Sequence, residues 1–273
     1  MAKQSLISQP RAIGHGLIVA GADSGGITRI KDLRNAGSTK LVFPKRADRH
    51  LEAILVNTAG GITGGDRFEL DVKLERGGAL TLTTQAAERA YRAQFGEVGH
   101  ITTQLDIAEG ATLKWLPQEM ILFDQSALRR RLRVSLAAKA RFLMVEPLVF
   151  GRAAMGETLR NVMFSDRIQI TRDGMPVFQD GIELWGDATQ HLSRAAIADG
   201  AGAMANVVMV APGINAHLEP VRAALPSTAG ASILDEGILA VRLLAQDSFE
   251  MRRSLIPVLE YLSQTALPRS WSL

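Results

Sequence analysis

Apolar and charged side chains alternate strictly along residues 67–75, and this alternation limits the fold more than any other feature of the chain. Phe68, Leu70, Val72 and Leu74 fall on one side, and Arg67, Glu69, Asp71, Lys73 and Glu75 on the other. A period of two belongs to a β-strand with one buried face. Gly77-Gly78 supplies a turn, and Ala79-Leu80-Thr81-Leu82-Thr83-Thr84 opens a second strand, its β-branched threonines suited to a pleated surface. The unit then returns. Thr103–Ile107 leads through Ala108-Glu109-Gly110 into Ala111–Trp115, and Leu132–Leu136 leads through Ala137-Ala138-Lys139 into Ala140–Met144. A weaker fourth copy runs from Arg167–Thr171 through Arg172-Asp173-Gly174 to Met175–Phe178.

Repetition at this spacing predicts like units stacked over a shared core. The expected fold is mainly β, a quasi-repetitive, helix-like winding of sheets with a few α-helices. Sheet edges then need cover from a helix or a partner. Two segments read as helical. Thr84–Tyr91 is Ala-rich behind a capping Thr84. The C-terminal segment carries Asp247 or Ser248 as cap, with Phe249, Arg252, Ile256, Leu259 and Leu262 near one face. Pro257 predicts a kink there or two shorter helices, and Pro268 ends the region. The Ala/Gly-rich tracts 195–205 and 225–231 read as insertions before β-like runs at Asn206–Val210 and Ile238–Leu244.

Composition removes several classes of function. The 273 residues contain no cysteine, which excludes disulfides and thiolate-held metal centres and fits a cytoplasmic protein. No apolar run has the length of a signal peptide core or a membrane-spanning helix, so no membrane partner is expected. Net charge is only +3. The one tight basic run, Arg129-Arg130-Arg131-Leu132-Arg133, interleaves with a strand pattern that lets its basic groups face water. It has no aromatic platform, so nucleic acid is not an expected partner.

The glycine-rich stretch Asn57–Asp66 follows a hydrophobic strand at Leu51–Val56. It lacks the Lys-Ser/Thr of a phosphate loop and the helix that a dinucleotide fingerprint needs. Gly60, Gly61, Gly64 and Gly65 therefore read as structural turn positions.

At this stretch the chain resembles the UreD (UreH) family of urease accessory proteins. Asn57–Asp66 looks like the family's glycine signature, and Thr83–Tyr91 and Gly110–Glu119 like its second and third motifs. Phe142–Arg152 with Met155-Gly156-Glu157 resembles the fourth, and Leu267-Pro268-Arg269-Ser270-Trp271 the closing motif. The five stand in family order. The resemblance implies one UreD-like domain over residues 1–273 and a non-enzymatic scaffold. It also implies binding to UreF-type and UreG-type accessory proteins and to apo-urease, and help in passing nickel to the urease active site. It implies no tightly bound cofactor, nickel being carried only in transit.

The five histidines, at 15, 50, 100, 191 and 217, show no ligand spacing. A transit route needs weaker carboxylate ligands. The candidates are Asp66, Glu88, Glu119, Glu146 and Glu183. Glu146 stands in the apolar run Met144-Val145-Glu146-Pro147-Leu148, where a carboxylate must be paired, hydrogen-bonded or protonated. The alternative is a β-rich hydrolase with two carboxylates in a cleft, Asp66, Glu119 and Glu146 being the first to inspect.

Overall fold

A computed structural model describes residues 9–45, 49–235 and 237–272. The chain starts as a hairpin of β1 (Ile13–Ala22) and β2 (Thr28–Gly37), followed by β3 (Thr39–Val42) and β4 (Leu51–Asn57). The alternating segments supply β5 (Arg67–Leu74), β6 (Ala79–Thr84), β7 (Glu88–Ala90), β8 (Gly99–Ile107) and β9 (Thr112–Leu116). Then come β10 (Met120–Leu122), β11 (Ala127–Leu136), β12 (Arg141–Phe150), β13 (Val162–Arg172) and β14 (Met175–Gly186). Helix α1 (Ala188–Leu192), β15 (Ala203–Val210), α2 (Leu218–Ala224), β16 (Ala229–Asp235), β17 (Ile238–Ala245) and α3 (Ser248–Ser263) complete the order.

Two sheets result. Sheet A runs β14-β13-β11-β8-β5-β1-β2, and sheet B runs β16-β17-β15-β12-β9-β6-β4-β3, with β10 and β7 paired off β12. The repeated units wind between them. β5, β8 and β11 lie parallel in sheet A, and their successors β6, β9 and β12 lie parallel in sheet B. Each crossing uses four residues, 75–78, 108–111 and 137–140. Each is closed by the same bond between its last amide and first carbonyl: Gly78 to Glu75, Ala111 to Ala108, Ala140 to Ala137. The expected winding is therefore present in three coils.

The fourth unit departs from it. Asp173 and Gly174 both have positive φ, 50° and 78°. That is the two-residue turn whose twist suits a hairpin. β14 accordingly folds back antiparallel on β13 and stays in sheet A.

Apolar faces meet between the sheets. Ile18, Val72, Leu105, Val134 and Ile170 stand in register across sheet A, and Leu80, Leu113, Phe142 and Val210 across sheet B. All are buried, each such side chain contributing roughly 1.5–3 kcal/mol. Sheet B is covered on its other face as well, by α2 and α3. β12 and β15 are accordingly buried along nearly their whole length and read as continuous apolar runs rather than alternating ones.

Several local expectations are corrected. Thr84–Tyr91 is not a helix: Glu88–Ala90 pairs with β10, and the Thr84 hydroxyl accepts from the Gln118 amide. Eight residues give too little helix to resist such pairing. α3 is one helix across Pro257, not two, and Asp247 caps it by accepting from the Glu250 amide. Its buried face is Met251, Leu255, Val258, Leu259 and Leu262, a rotation that leaves Phe249 exposed. Residues 203–205 and 229–231 belong to β15 and β16, so neither Ala/Gly-rich tract is wholly an insertion. Among the described residues, no helix is long and apolar enough to cross a membrane.

Candidate functional site

The two ends of the winding are built differently. One carries the four-residue crossings. The other carries the long connections 58–66, 91–98, 151–161 and 187–202, with the four-residue connection 123–126 beside them. The glycine stretch lies at this second end. Gly60, Gly61 and Gly65 have φ of 80°, 155° and 86°. A Cβ on Gly61 would stand 2.2 Å from the Tyr91 ring, and one on Gly64 would stand 2.8 Å from Ala93 and Glu97 Cβ. A strand, β5, follows the loop. Asp66 ties the loop down by accepting from the amides of Ala12 and Thr63, both at 2.8 Å.

At this end the sheets leave a chamber of about 300 Å³. Phe68, Ile101 and Arg130 wall it from sheet A, and Trp115 and Glu146 from sheet B, with Glu88 beside the glycine loop. Arg130 sits on β11 at the same parity as Leu128 and Leu132, so its guanidinium points inward and is buried. It donates to Asp166 through Nε (3.0 Å) and Nη2 (2.6 Å). Its Nη1 lies 2.6 Å from Glu146 Oε2. Glu146 Oε1 accepts from Trp115 Nε1 at 2.6 Å, while Oε2 accepts no hydrogen bond from the described residues. Burial pushes the Glu146 carboxyl above the usual glutamate range, the nearby Asp166 adds to this, and Arg130 and Trp115 only partly oppose it. Burial also raises Glu88, against hydrogen bonds from Asn57 Nδ2 and the Arg89 amide.

Beyond Glu146 lies a void of about 10 Å³ bordered by Asp166, Asp180 and Asn206. Asp180 accepts from Asn206 (2.6 Å) and Arg242 (2.5 Å). Buried and half-buried carboxylates thus run from the chamber into the sheet interior, interrupted by the Arg130 guanidinium.

The five carboxylates singled out from sequence do not converge. Glu88 and Glu146 share the chamber wall. Glu119 faces α3 instead, paired with Arg252 Nη1 at 3.0 Å. The same guanidinium donates to Gln118 and lies over the Trp271 ring. Glu183 lies on the outer face of sheet A, paired with Arg167. Asp66, Glu119 and Glu146 therefore form no facing pair of the kind a glycosidase needs. Among the described residues, no three His, Asp or Glu side chains are placed to hold a metal ion. His15 pairs with Asp71, and His217 with the Tyr261 hydroxyl. Sequence reasoning missed Arg130 and Asp166, and the basic run does not face water throughout. The missed signal was parity: Arg130 shares the face of Leu128 and Leu132, and Asp166 that of Phe164 and Ile168.

The family model for the UreD urease accessory protein matches residues 15–272, taking in both sheets, the chamber and the C-terminal helix. The chain belongs to the UreD family. It is 48% identical over 267 residues to the urease accessory protein UreD of Roseobacter denitrificans, covering 98% of this chain and 97% of the relative. It is 49% identical over 249 residues to the UreD of Ruegeria pomeroyi, covering 91% and 97%. It is 43% identical over 252 residues to UreD 1 of Brucella melitensis, covering 91% and 90%. UreD membership makes it a urease accessory protein.

Proposed function

We propose that the chain is a cytoplasmic, non-enzymatic scaffold for urease maturation. In this reading it binds UreF-type and UreG-type accessory proteins and apo-urease, and nickel passes through the inter-sheet chamber on its way to the urease active site. One observation carries the proposal: Glu88 and Glu146 line the same chamber without converging on a closed ligand set. Isolated carboxylates and water bind a divalent ion weakly enough to release it, whereas clustered imidazoles would retain it. Glu88 and Glu146 both hold protons more tightly than ordinary glutamates.

The end bearing the long loops is the proposed contact surface for the helical partner. Tyr91, Phe95, Met155 and Trp185 are exposed large apolar side chains on or beside its loops, residue types that anchor protein interfaces. The test is purification of the chain with UreF-type and UreG-type proteins and apo-urease, followed by nickel-dependent activation with and without it. Co-purification and activation that depend on the chain support the reading. Equal activation without it overturns the reading.

A further inference from the structure

The outer face of sheet A carries a column of three arginines along β11. Arg129, Arg131 and Arg133 are exposed, and among the described residues none makes an ion pair or hydrogen bond. Alternate residues of a strand lie about 6.6–6.8 Å apart. The column is one strand wide. In register on its two sides stand neutral groups, Thr102 and Gln104 of β8 and Ser165 and Gln169 of β13. Positive charge broadens only through Arg167, already held by Glu183, and at the loop end through His100 to Arg67. Burial, with Arg129 and Arg67 adding to it, holds His100 below the usual imidazole range.

Acidic groups bracket the column. Glu69 and Asp71 stand two strands away on β5, and Glu183 two strands away on β14. At the spacing of paired strands each lies about 10 Å off. α2 and α3 pack on sheet B, so the outer face of sheet A has no helix over it among the described residues. Residues 1–8 contain no carboxylate, so that stretch is not the complement.

We infer that the Arg129–Arg131–Arg133 column is a docking strip for an extended acidic segment of a protein partner. An extended chain with carboxylates at alternate positions repeats at the same interval as the arginines and is narrow enough to lie between the flanking acids. A nucleic-acid duplex is wider than the strip and meets Glu69, Asp71 and Glu183. A single strand needs aromatic rings to stack on, and the column has none. The inference stands apart from the nickel passage, since these side chains project from the opposite face of the sheet.

The test is fluorescence anisotropy on the full chain with a labelled seven-residue peptide alternating Glu and Thr. Its Gln-for-Glu counterpart and unlabelled single- and double-stranded DNA serve as competitors. The wild type is expected to bind the acidic peptide, more weakly as salt rises. Arg129→Gln/Arg131→Gln/Arg133→Gln should bind it about tenfold more weakly, three partly exposed ion pairs being lost. Circular dichroism checks that this variant is folded, and the His100 imidazole pKa should rise when the peptide is bound to wild type. No binding, equal binding by the triple variant, or displacement of the peptide by DNA at lower concentration than by unlabelled acidic peptide would each overturn the inference.

Discussion

Arg130 on β11 and Glu146 on β12 belong to successive strands of the chain but to opposite sheets, and their side chains meet 2.6 Å apart across the interior. The four-residue crossing at 137–140 makes this possible by carrying the chain from one sheet to the other. Arg130 is shared with Asp166, so one buried cation stands between two buried carboxylates.

That arrangement predicts an asymmetry. Arg130→Met leaves two buried acids without their cation and should cost about 3–5 kcal/mol. Glu146→Gln keeps the Arg130–Asp166 pair and an acceptor for Trp115, so its cost should stay near 1 kcal/mol. Urea unfolding of both variants checks the order. Equal losses would mean that Arg130 is not shared.

Glu88 gives a pH dependence of definite sign. Its folded pKa is raised above the ordinary 4.5 by burial, so the folded state favours its protonated form. That contribution is complete below pH 4.5 and disappears as pH rises through the folded value. Wild type should therefore lose stability relative to Glu88→Gln as pH rises above 4.5. Glu157 acts in reverse. The hydrogen bond from Arg152 lowers its pKa, so its contribution is lost as pH falls below 4.5. Urea midpoints across pH for Glu88→Gln and Glu157→Gln should diverge from wild type at opposite ends of the range.

Much of this fold was legible in alternation. The pattern Phe68-Leu70-Val72-Leu74 gave β5 and its buried face, and its recurrence gave three stacked coils. What separated the fourth unit was turn length. Residues 173–174 make a two-residue hairpin where the other units spend four residues, a difference between returning to one sheet and crossing to the next. Thr84–Tyr91 misled because its local helix preference yields to pairing with β10, a strand that lies far off in sequence. At the site, Glu146 was visible as a charge in an apolar run. Arg130 was hidden because three arginines in a row look solvated until their parity is counted.

The glycine loop predicts a graded response. Gly61→Ala meets the Tyr91 ring and an unfavourable φ together, whereas Gly60→Ala has open space and meets only the φ. The first should cost about 2–4 kcal/mol and the second about 1–2. Thermal unfolding of the two variants checks the order.

The C-terminal anchor should separate a buried pair from an exposed one on the same helix. Arg252→Ala strands Glu119, whose side chain is 5% exposed, and should cost about 3–5 kcal/mol. Arg253→Ala breaks an exposed i,i+3 pair with Glu250 and should cost no more than about 0.5 kcal/mol. Urea unfolding of the two single variants compares them directly.

The claim that nickel crosses the inter-sheet chamber is tested most directly by the Glu88→Gln/Glu146→Gln double variant in a nickel-dependent urease activation assay. Assembly with the partners is measured on the same samples. The chamber account predicts normal assembly with a clear loss of activation. Normal assembly with wild-type activation would contradict it.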